Sequence, residues 1–173
     1  NIEAGLIPRE SPQTTHLSTM DAKGNAVALT TTLNGGYGAR IVVGGAGFLL
    51  NNEMDDFSAK PNTMNMYQLI GREANAIAPR KRMLSSMTPT IVSKNGELVL
   101  VTGSPGGSTI ITTVLQVISN VIDHGMDLSE AVARPRFHHQ WLPDSILVER
   151  NGFSSDTVRL LETMGHRKPR IVR

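Results

Sequence analysis

A glycine-rich joint between a strand and a helix, at residues 103–108, constrains the fold of this chain more than any other feature. Its sequence is Gly-Ser-Pro-Gly-Gly-Ser, with an apolar β-prone run before it and apolar residues at helical spacing over residues 109–123 after it. Consecutive glycines before a helix expose backbone N–H groups at the positive end of the helix dipole, which suits an anion or an oxyanion. The lysine of a nucleotide-binding P-loop is absent, and a purely structural tight turn is the alternative.

The other elements predict an α+β fold with antiparallel sheet covered by helices. Two hairpins are expected, because pairs of β-prone runs are joined by short polar links containing Gly, at residues 14–20 with 25–33 and at 90–93 with 98–102. Residues 58–82 lack periodicity and predict a long irregular loop. The remaining predictions are strands at 41–43, 48–50, 137–141 and 146–149, and helices at 128–133 and 157–164.

The composition excludes several classes of function. The chain of 173 residues is long enough for one domain with a sizeable core, and it begins at Asn1, which indicates a fragment or a processed product. The net charge is only +2 and the basic residues are dispersed, so no nucleic-acid footprint is present. The absence of cysteine rules out thiol chemistry, and no apolar run approaches the length of a membrane span.

Hydroxyl side chains are concentrated in two neighbouring stretches. Residues 14–18 read Thr-Thr-His-Leu-Ser. A threonine hydroxyl is a weak nucleophile unless a base lies beside it, and its own α-amino group can be that base once the preceding bond is cut. Thr30, Thr32 and Asn34 alternate, so they would share one face of a strand. The alternatives are that the first stretch merely opens a strand and that the second is a solvated face.

An acidic cluster follows the strand predicted at residues 48–50. Glu53, Asp55 and Asp56 are preceded by two asparagines, and carboxylates at such a strand end can hold an ammonium group. No histidine flanks them and their spacing matches no EF-hand, so a charged turn is a simpler alternative than a metal site. His138 and His139 would point to opposite faces of a strand, which favours packing or surface roles over a metal pair.

Taken together and in order, these motifs resemble the small subunit of γ-glutamyltranspeptidases. The motifs are Thr-Thr-His-Leu-Ser, Thr-x-Asn, Asn-Asn-x-Met-Asp-Asp-Phe, Leu-Ser-Ser-Met-x-Pro-Thr and Gly-Ser-Pro-Gly-Gly-Ser, followed by Phe-His-His-Gln-Trp-Leu-Pro-Asp at residues 137–144. The resemblance covers roughly residues 10–165. It implies an N-terminal-nucleophile hydrolase with a four-layer αββα sandwich, of which this chain supplies part.

The resemblance also implies a division of the chain and a role for each motif. Residues 1–13 would be the tail of an upstream large subunit, and residues 14–173 a small catalytic subunit that is short at its C-terminus. Autocatalytic cleavage between Gln13 and Thr14 would free Thr14 as nucleophile. The other implied roles are orientation of Thr14 by Thr32, an oxyanion hole at Gly106 and Gly107, a lid over residues 61–72 bearing Tyr67, and substrate binding by Asn34, Glu53, Asp56, Ser85 and Ser86.

The activity implied is hydrolysis and transfer of the γ-glutamyl group of glutathione and other γ-glutamyl amides through a threonyl acyl-enzyme. The implied partners are the large subunit of the same precursor and an acceptor amino acid, peptide or water. No cofactor or metal is expected, and the implied location is periplasmic or extracellular. The alternatives are an unprocessed non-catalytic homologue and a related enzyme on the same scaffold, such as a cephalosporin acylase or a poly-γ-glutamate transferase.

Overall fold

The structure is a computed structural model that describes residues 14–172. The predicted large-subunit tail at residues 1–13 lies outside the described residues, and so does Gln13 at the predicted cleavage point. Within the described part, the chain forms two compact units, one over residues 14–111 and the other over residues 112–172. The mixture of strands and helices confirms the α+β class.

Two antiparallel hairpins form the regular part of the first unit, as predicted. The first consists of β1 (Thr15–Met20) and β2 (Ala26–Thr31), and the second of β3 (Thr90–Lys94) and β4 (Glu97–Thr102). Strand β2 lies against both β3 and β4. Apolar Leu100 of β4 is buried in this unit together with Phe57 and Ile110.

The strands predicted at residues 41–43 and 48–50 are wrong as regular strands. Their pairing is reduced to one isolated antiparallel bridge between Val42 and Leu49. Val42 and Phe48 are exposed, so neither arm gains the burial that normally stabilises a short strand. The intervening residues 44–47 form a turn with two glycines at positive φ.

The turn of the first hairpin sets the register of its strands. The carboxylate of Asp21 accepts hydrogen bonds from the N–H groups of Lys23 (2.8 Å) and Asn25 (2.9 Å) and from the Asn25 side chain (2.7 Å). Gly24 has a φ of 82°, the left-handed conformation that this kind of turn needs. The resulting register pairs Thr15 with Thr31 and continues to Met20 opposite Ala26.

Irregular backbone connects the two hairpins, as predicted for residues 58–82. It contains two short 3-10 turns, Glu53–Asp56 and Glu73–Asn75. The rest is ordered by hydrogen bonds of side chains to backbone groups. Asn65, for example, accepts hydrogen bonds from the N–H groups of Tyr67 and Leu69, both at 3.0 Å.

The second unit contains most of a long helix, two shorter helices and a small sheet. Helix α1 (Ile110–Ile122) follows a 3-10 turn at Gly107–Thr109, close to the predicted bounds. Helix α2 (Leu128–Ala133) is capped by Asp127 and α3 (Ser155–Thr163) by Ser154, and each cap accepts a hydrogen bond from a backbone N–H. The buried apolar residues of this unit are Val114, Val117, Ala131, Ile146 and Val148.

The small sheet differs from the sequence prediction at both ends. Strand β5 (Phe137–His138) stops early, because Trp141 adopts a φ of 69° and Pro143 has no N–H to donate to a ladder. Strand β6 (Leu147–Glu149) pairs antiparallel with β5 and parallel with β7 (Arg170–Val172). Strand β7 is not predictable from the sequence, since three residues in a basic stretch carry no alternating pattern.

The histidine pair has separate packing roles. His138 is buried, with Nδ1 2.8 Å from the Thr112 hydroxyl and Nε2 2.9 Å from Oε1 of Gln140. His139 lies 3.2 Å from the carboxylate of Asp144. Within residues 14–172, no group of three or more His, Asp or Glu side chains is arranged to hold a metal ion. No helix in the same range is long and apolar enough to cross a membrane.

We expect Gly24→Ala to destabilise the hairpin, because a Cβ is disfavoured at its φ of 82°. The expected loss is about 1–2 kcal/mol in the free energy of unfolding, measured by urea denaturation. Gly44→Ala is the matched control, since Gly44 has no positive φ and a Cβ there meets nothing within 4 Å. Equal effects of the two substitutions would contradict this account of the turn.

Candidate active site

A pocket opens in the first unit, where several predicted site residues meet. Backbone from four separate stretches contributes to it: the start of β1, the end of β2, the irregular segment and the joint before α1. Seven of the lining residues are candidates from the sequence, namely Thr14, Thr32, Asn34, Asp56, Tyr67, Ser86 and Gly107. The other two are Met87 and Ile110, which form apolar wall.

Two threonine hydroxyls face each other in this pocket. Oγ1 of Thr14 lies 2.9 Å from Oγ1 of Thr32, and Thr14 is buried, with 8% of its surface exposed. The Thr32 oxygen also accepts a hydrogen bond from the N–H of Asn34 (2.9 Å). Because one lone pair of Thr32 is occupied in this way, the orientation of its hydroxyl toward Thr14 is restricted.

Asn34 adopts a φ of 71° and is fixed by neighbours from two other segments. Its side-chain amide donates to the carbonyl of Asn52 (3.2 Å), and its own carbonyl accepts from the Tyr67 hydroxyl (2.8 Å). The following N–H, that of Gly35, donates to Oδ1 of Asn52 (2.7 Å). Asn34 is 4% exposed, so the left-handed backbone here is buried and held from both sides.

Tyr67 lies between two parts of the pocket. Its hydroxyl reaches Asn34, while its ring lies over Gly107, where an added Cβ would be only 2.7 Å from the Tyr67 Cε1 atom. Gly107 has a φ of 59° and opens the 3-10 turn that leads into α1. The first N–H groups of a helix have no partner inside it, so this glycine presents a donor at the positive end of the helix.

The acidic cluster places its most buried carboxyl in the pocket. Burial is the largest cause that raises the pKa of Asp56, and together with the nearby charges of Glu53 and Asp55 it raises that pKa to about 6. Burial also raises the pKa of Glu53 above its ordinary value. Asp55 accepts a hydrogen bond from the N–H of Met66 (3.1 Å), which ties the cluster to the loop carrying Tyr67. A cation entering the pocket would relieve this repulsion.

Three of the predicted site residues do not line the pocket. Glu53, Ser85 and Gly106 are each close in sequence to a lining residue, and Ser85 is exposed, with its hydroxyl accepting from the N–H of Met87 (3.2 Å). Met87 and Ile110 line the pocket but are not among the site residues predicted from the sequence. Met87 follows the Ser-Ser pair directly, so its adjacency was the available signal, and Ile110 was assigned only to the apolar face of the helix.

The arrangement combines the parts needed for acyl transfer. The buried hydroxyl of Thr14 lies 2.9 Å from that of Thr32, the turn that leads into α1 begins at Gly107, and the carboxyl of Asp56 lines the same pocket. A hydroxyl nucleophile needs a base, and no His, Lys or acidic group among residues 14–172 hydrogen-bonds to Thr14. A free α-amino group on Thr14 itself would fill this role.

Comparisons with known proteins agree with the resemblance. The family model described as gamma-glutamyltranspeptidase matches residues 4–171. The chain is 61% identical over 162 residues to a protein called glutathione hydrolase proenzyme from Escherichia coli, and 52% identical over 166 residues to one of the same name from a Pseudomonas species. These alignments cover 94% and 96% of this chain, but the chain spans only 28% and 29% of the relatives.

A solved structure gives the same result. The chain resembles a mutant γ-glutamyltranspeptidase of Helicobacter pylori with a TM-score of 0.86 and 59% sequence identity. The match covers 91% of this chain and 83% of that chain. This similarity confirms the predicted class of N-terminal-nucleophile hydrolase fold.

Stability measured against pH tests the environment of Asp56. Its pKa in the folded state, about 6, is above the ordinary value of 3.8, so the ionised form is disfavoured by folding. The contribution of Asp56 to the free energy of unfolding is therefore fully present below the ordinary pKa, where the carboxyl is protonated, and is lost as the pH rises through about 6. We therefore expect Asp56→Asn to raise the Tm near neutral pH and to have no effect near pH ~3.5, as measured by thermal unfolding of the full-length protein.

Asp21→Asn is a control of opposite sign. Hydrogen bonds from the Asn25 side chain and backbone lower the pKa of Asp21. Its stabilisation is present above the ordinary pKa and is lost as the pH falls through the folded value, so this variant should lower the Tm at neutral pH only. If both variants shifted the Tm in the same direction, the assignment for Asp56 would be wrong.

Proposed function

Because the chain belongs to the γ-glutamyltranspeptidase family, we propose that it supplies the small catalytic subunit of an enzyme that hydrolyses and transfers γ-glutamyl groups. The observation that carries this proposal is the hydrogen bond of 2.9 Å between the hydroxyls of Thr14 and Thr32 inside the pocket. The substrates proposed are glutathione and other γ-glutamyl amides. This agrees with the name glutathione hydrolase proenzyme that two of the relatives carry.

The first step in the proposed mechanism creates the nucleophile. Hydrolysis of the bond between Gln13 and Thr14 separates a subunit that begins at Thr14 and gives Thr14 a free α-amino group. That amine takes the hydroxyl proton as Thr14 attacks, and no histidine is needed. Thr32 holds the Thr14 oxygen in position, which is supported by its second hydrogen bond with the N–H of Asn34.

Acyl transfer then proceeds in two halves. The Thr14 oxygen adds to the γ-carbonyl carbon, and the N–H groups of Gly106 and Gly107 stabilise the negative oxygen that develops. Collapse of this intermediate breaks the amide bond and releases the amine, which takes up the proton. Water or the amine of an acceptor amino acid or peptide next attacks the ester, releases the γ-glutamyl group and restores the Thr14 hydroxyl.

Charge complementarity supports the proposed binding of the substrate's amino-acid end. Asp56 and Glu53 carry raised pKa values because of burial, and an α-ammonium group would offset that cost by pairing with the ionised forms. Ser85, Ser86 and Asn34 offer uncharged donors for the α-carboxylate. Tyr67 would close the site, in keeping with its position across Gly107 and Asn34.

The other parts of the assignment extend beyond this chain. We infer that the rest of the length seen in the relatives, of which this chain spans 28% and 29%, supplies a large subunit as partner. The periplasmic or extracellular location implied by the family resemblance stays a prediction. The alternatives of an unprocessed homologue or a related acylase are separated from the main proposal by the experiments that follow.

Substitution of Thr14 tests both the cleavage and the chemistry. Thr14→Ala should abolish cleavage and turnover of γ-glutamyl-p-nitroanilide, whereas Thr14→Ser, which keeps a hydroxyl, should retain part of each. Mass spectrometry of the purified protein detects a fragment starting at Thr14, and release of p-nitroaniline reports turnover. Thr15→Ala is the matched control, because Thr15 is exposed, and it should leave both activities intact.

Two results would contradict the proposed function. A wild-type protein that stays uncut after long incubation at neutral pH would favour the unprocessed homologue. Equal inactivity of the Ala and Ser variants would argue against a hydroxyl nucleophile at this position.

Substitution of Thr32 tests the orientation of the nucleophile. Thr32→Val keeps the shape but removes the hydroxyl that lies 2.9 Å from Thr14. We expect kcat to fall by about 10- to 100-fold with little change in KM, because the lost interaction positions the reacting atom. Thr32→Ser, which restores a hydroxyl, should recover most of kcat in the same p-nitroanilide assay. An unchanged kcat in Thr32→Val would remove Thr32 from the mechanism.

A further inference from the structure

Asn75 lies outside the pocket lining, yet all of its polar groups are occupied. Its Oδ1 accepts a hydrogen bond from the N–H of Leu84 (3.0 Å), and its Nδ2 donates to the carbonyl of Asp56 (2.7 Å). Its backbone N–H donates to the carbonyl of Arg72 (3.0 Å), and its backbone carbonyl accepts from the N–H of Ser58 (2.9 Å). The residue is therefore fixed by its backbone, and its amide joins two segments that are distant in the sequence.

Those two segments carry the opposite ends of the proposed substrate site. Asp56 belongs to the segment proposed to bind the α-ammonium group. Leu84 directly precedes Ser85 and Ser86, which are proposed to bind the α-carboxylate. Both groups sit on the same carbon of an amino acid, so their separation is set by covalent geometry, and the two halves of the site must keep a matching separation.

We propose that Asn75 is a positioning residue that sets the spacing between the ammonium-binding and carboxylate-binding halves of the site. This assignment rests on the proposed function. An amide suits the task because one side chain offers a donor and an acceptor, one for the Asp56 carbonyl and one for the Leu84 N–H. The backbone between them is irregular: a short 3-10 turn at Glu73–Asn75 and an isolated bridge between Ser58 and Ala76 order the Asp56 side, but neither includes Leu84.

Substrates that lack one end of the amino acid test this directly. The γ-glutamyl p-nitroanilide carries both groups, the glutaryl analogue lacks the α-ammonium, and the γ-aminobutyryl analogue lacks the α-carboxylate. In the full-length protein, Asn75→Ala should raise KM for the γ-glutamyl substrate about tenfold and change kcat less than about threefold. The preference for that substrate over each analogue, as a ratio of kcat/KM, should fall about tenfold.

A second substitution covers the case in which Asn75→Ala folds poorly. Asn75→Asp keeps the shape and the acceptor for Leu84 but loses the donor to the Asp56 carbonyl. This variant should lower the preference for the γ-glutamyl substrate over the glutaryl analogue. The hydrogen bond that it loses is the one that holds the segment of the ammonium-binding half. Asn120→Ala is the matched control, since the Asn120 side chain also joins two segments, by donating to the Ala131 carbonyl (3.3 Å), but far from this bridge in the sequence. It should leave all the ratios unchanged.

The possible failures are distinguishable. If wild type is active and the Asn75 variants lose stability without a change in the substrate ratios, Asn75 is only structural and the assignment is overturned. The same conclusion follows if kcat/KM falls equally for the three substrates. A wild-type protein without γ-glutamyl turnover overturns the proposed function, and the assignment of Asn75 with it.

Discussion

The register of the first hairpin is the constraint on which the candidate site depends. The turn that Asp21 and Gly24 hold pairs Thr15 with Thr31, and continuing the same register by one pair brings Thr14 opposite Thr32. Their hydroxyls are 2.9 Å apart. A shift of one residue would turn the partner side chain to the other face of the hairpin, so a turn distant from the pocket selects which threonine faces Thr14.

Beyond this pair, the site residues are held in place by hydrogen bonds of polar side chains rather than by strand pairing. Thr32 accepts from the N–H of Asn34, which is held in turn by Asn52 and Tyr67. Asparagine recurs in this role because its amide both donates and accepts, so one side chain can join two loops. Loops bearing functional residues need such support, since they lack the repeated hydrogen bonds of helices and strands.

The acidic cluster shows a site that is not optimised for stability by itself. Asp56 is partly buried beside two other carboxylates, and its pKa is raised to about 6 as a result. Such an arrangement disfavours the ionised form until a cation binds, which is the pattern expected of a binding site rather than of a structural ion pair. The left-handed backbone of buried Asn34, at a φ of 71°, and the position of the Tyr67 ring, which leaves no room for a Cβ at Gly107, fit the same interpretation.

The sequence by itself determined the local elements and the chemical types of the site residues. Hairpins, capped helices and the glycine joint follow from short-range propensities, and the order of motifs was enough to identify the family. Tertiary structure alone decided which candidates meet in one pocket, because Thr14, Asp56 and Ser86 lie on segments with no local pattern linking them. It also decided which segments the side chains of Asn52 and Asn75 join and the parallel pairing of β6 with β7, since these contacts join segments distant in the sequence and leave no periodic signal.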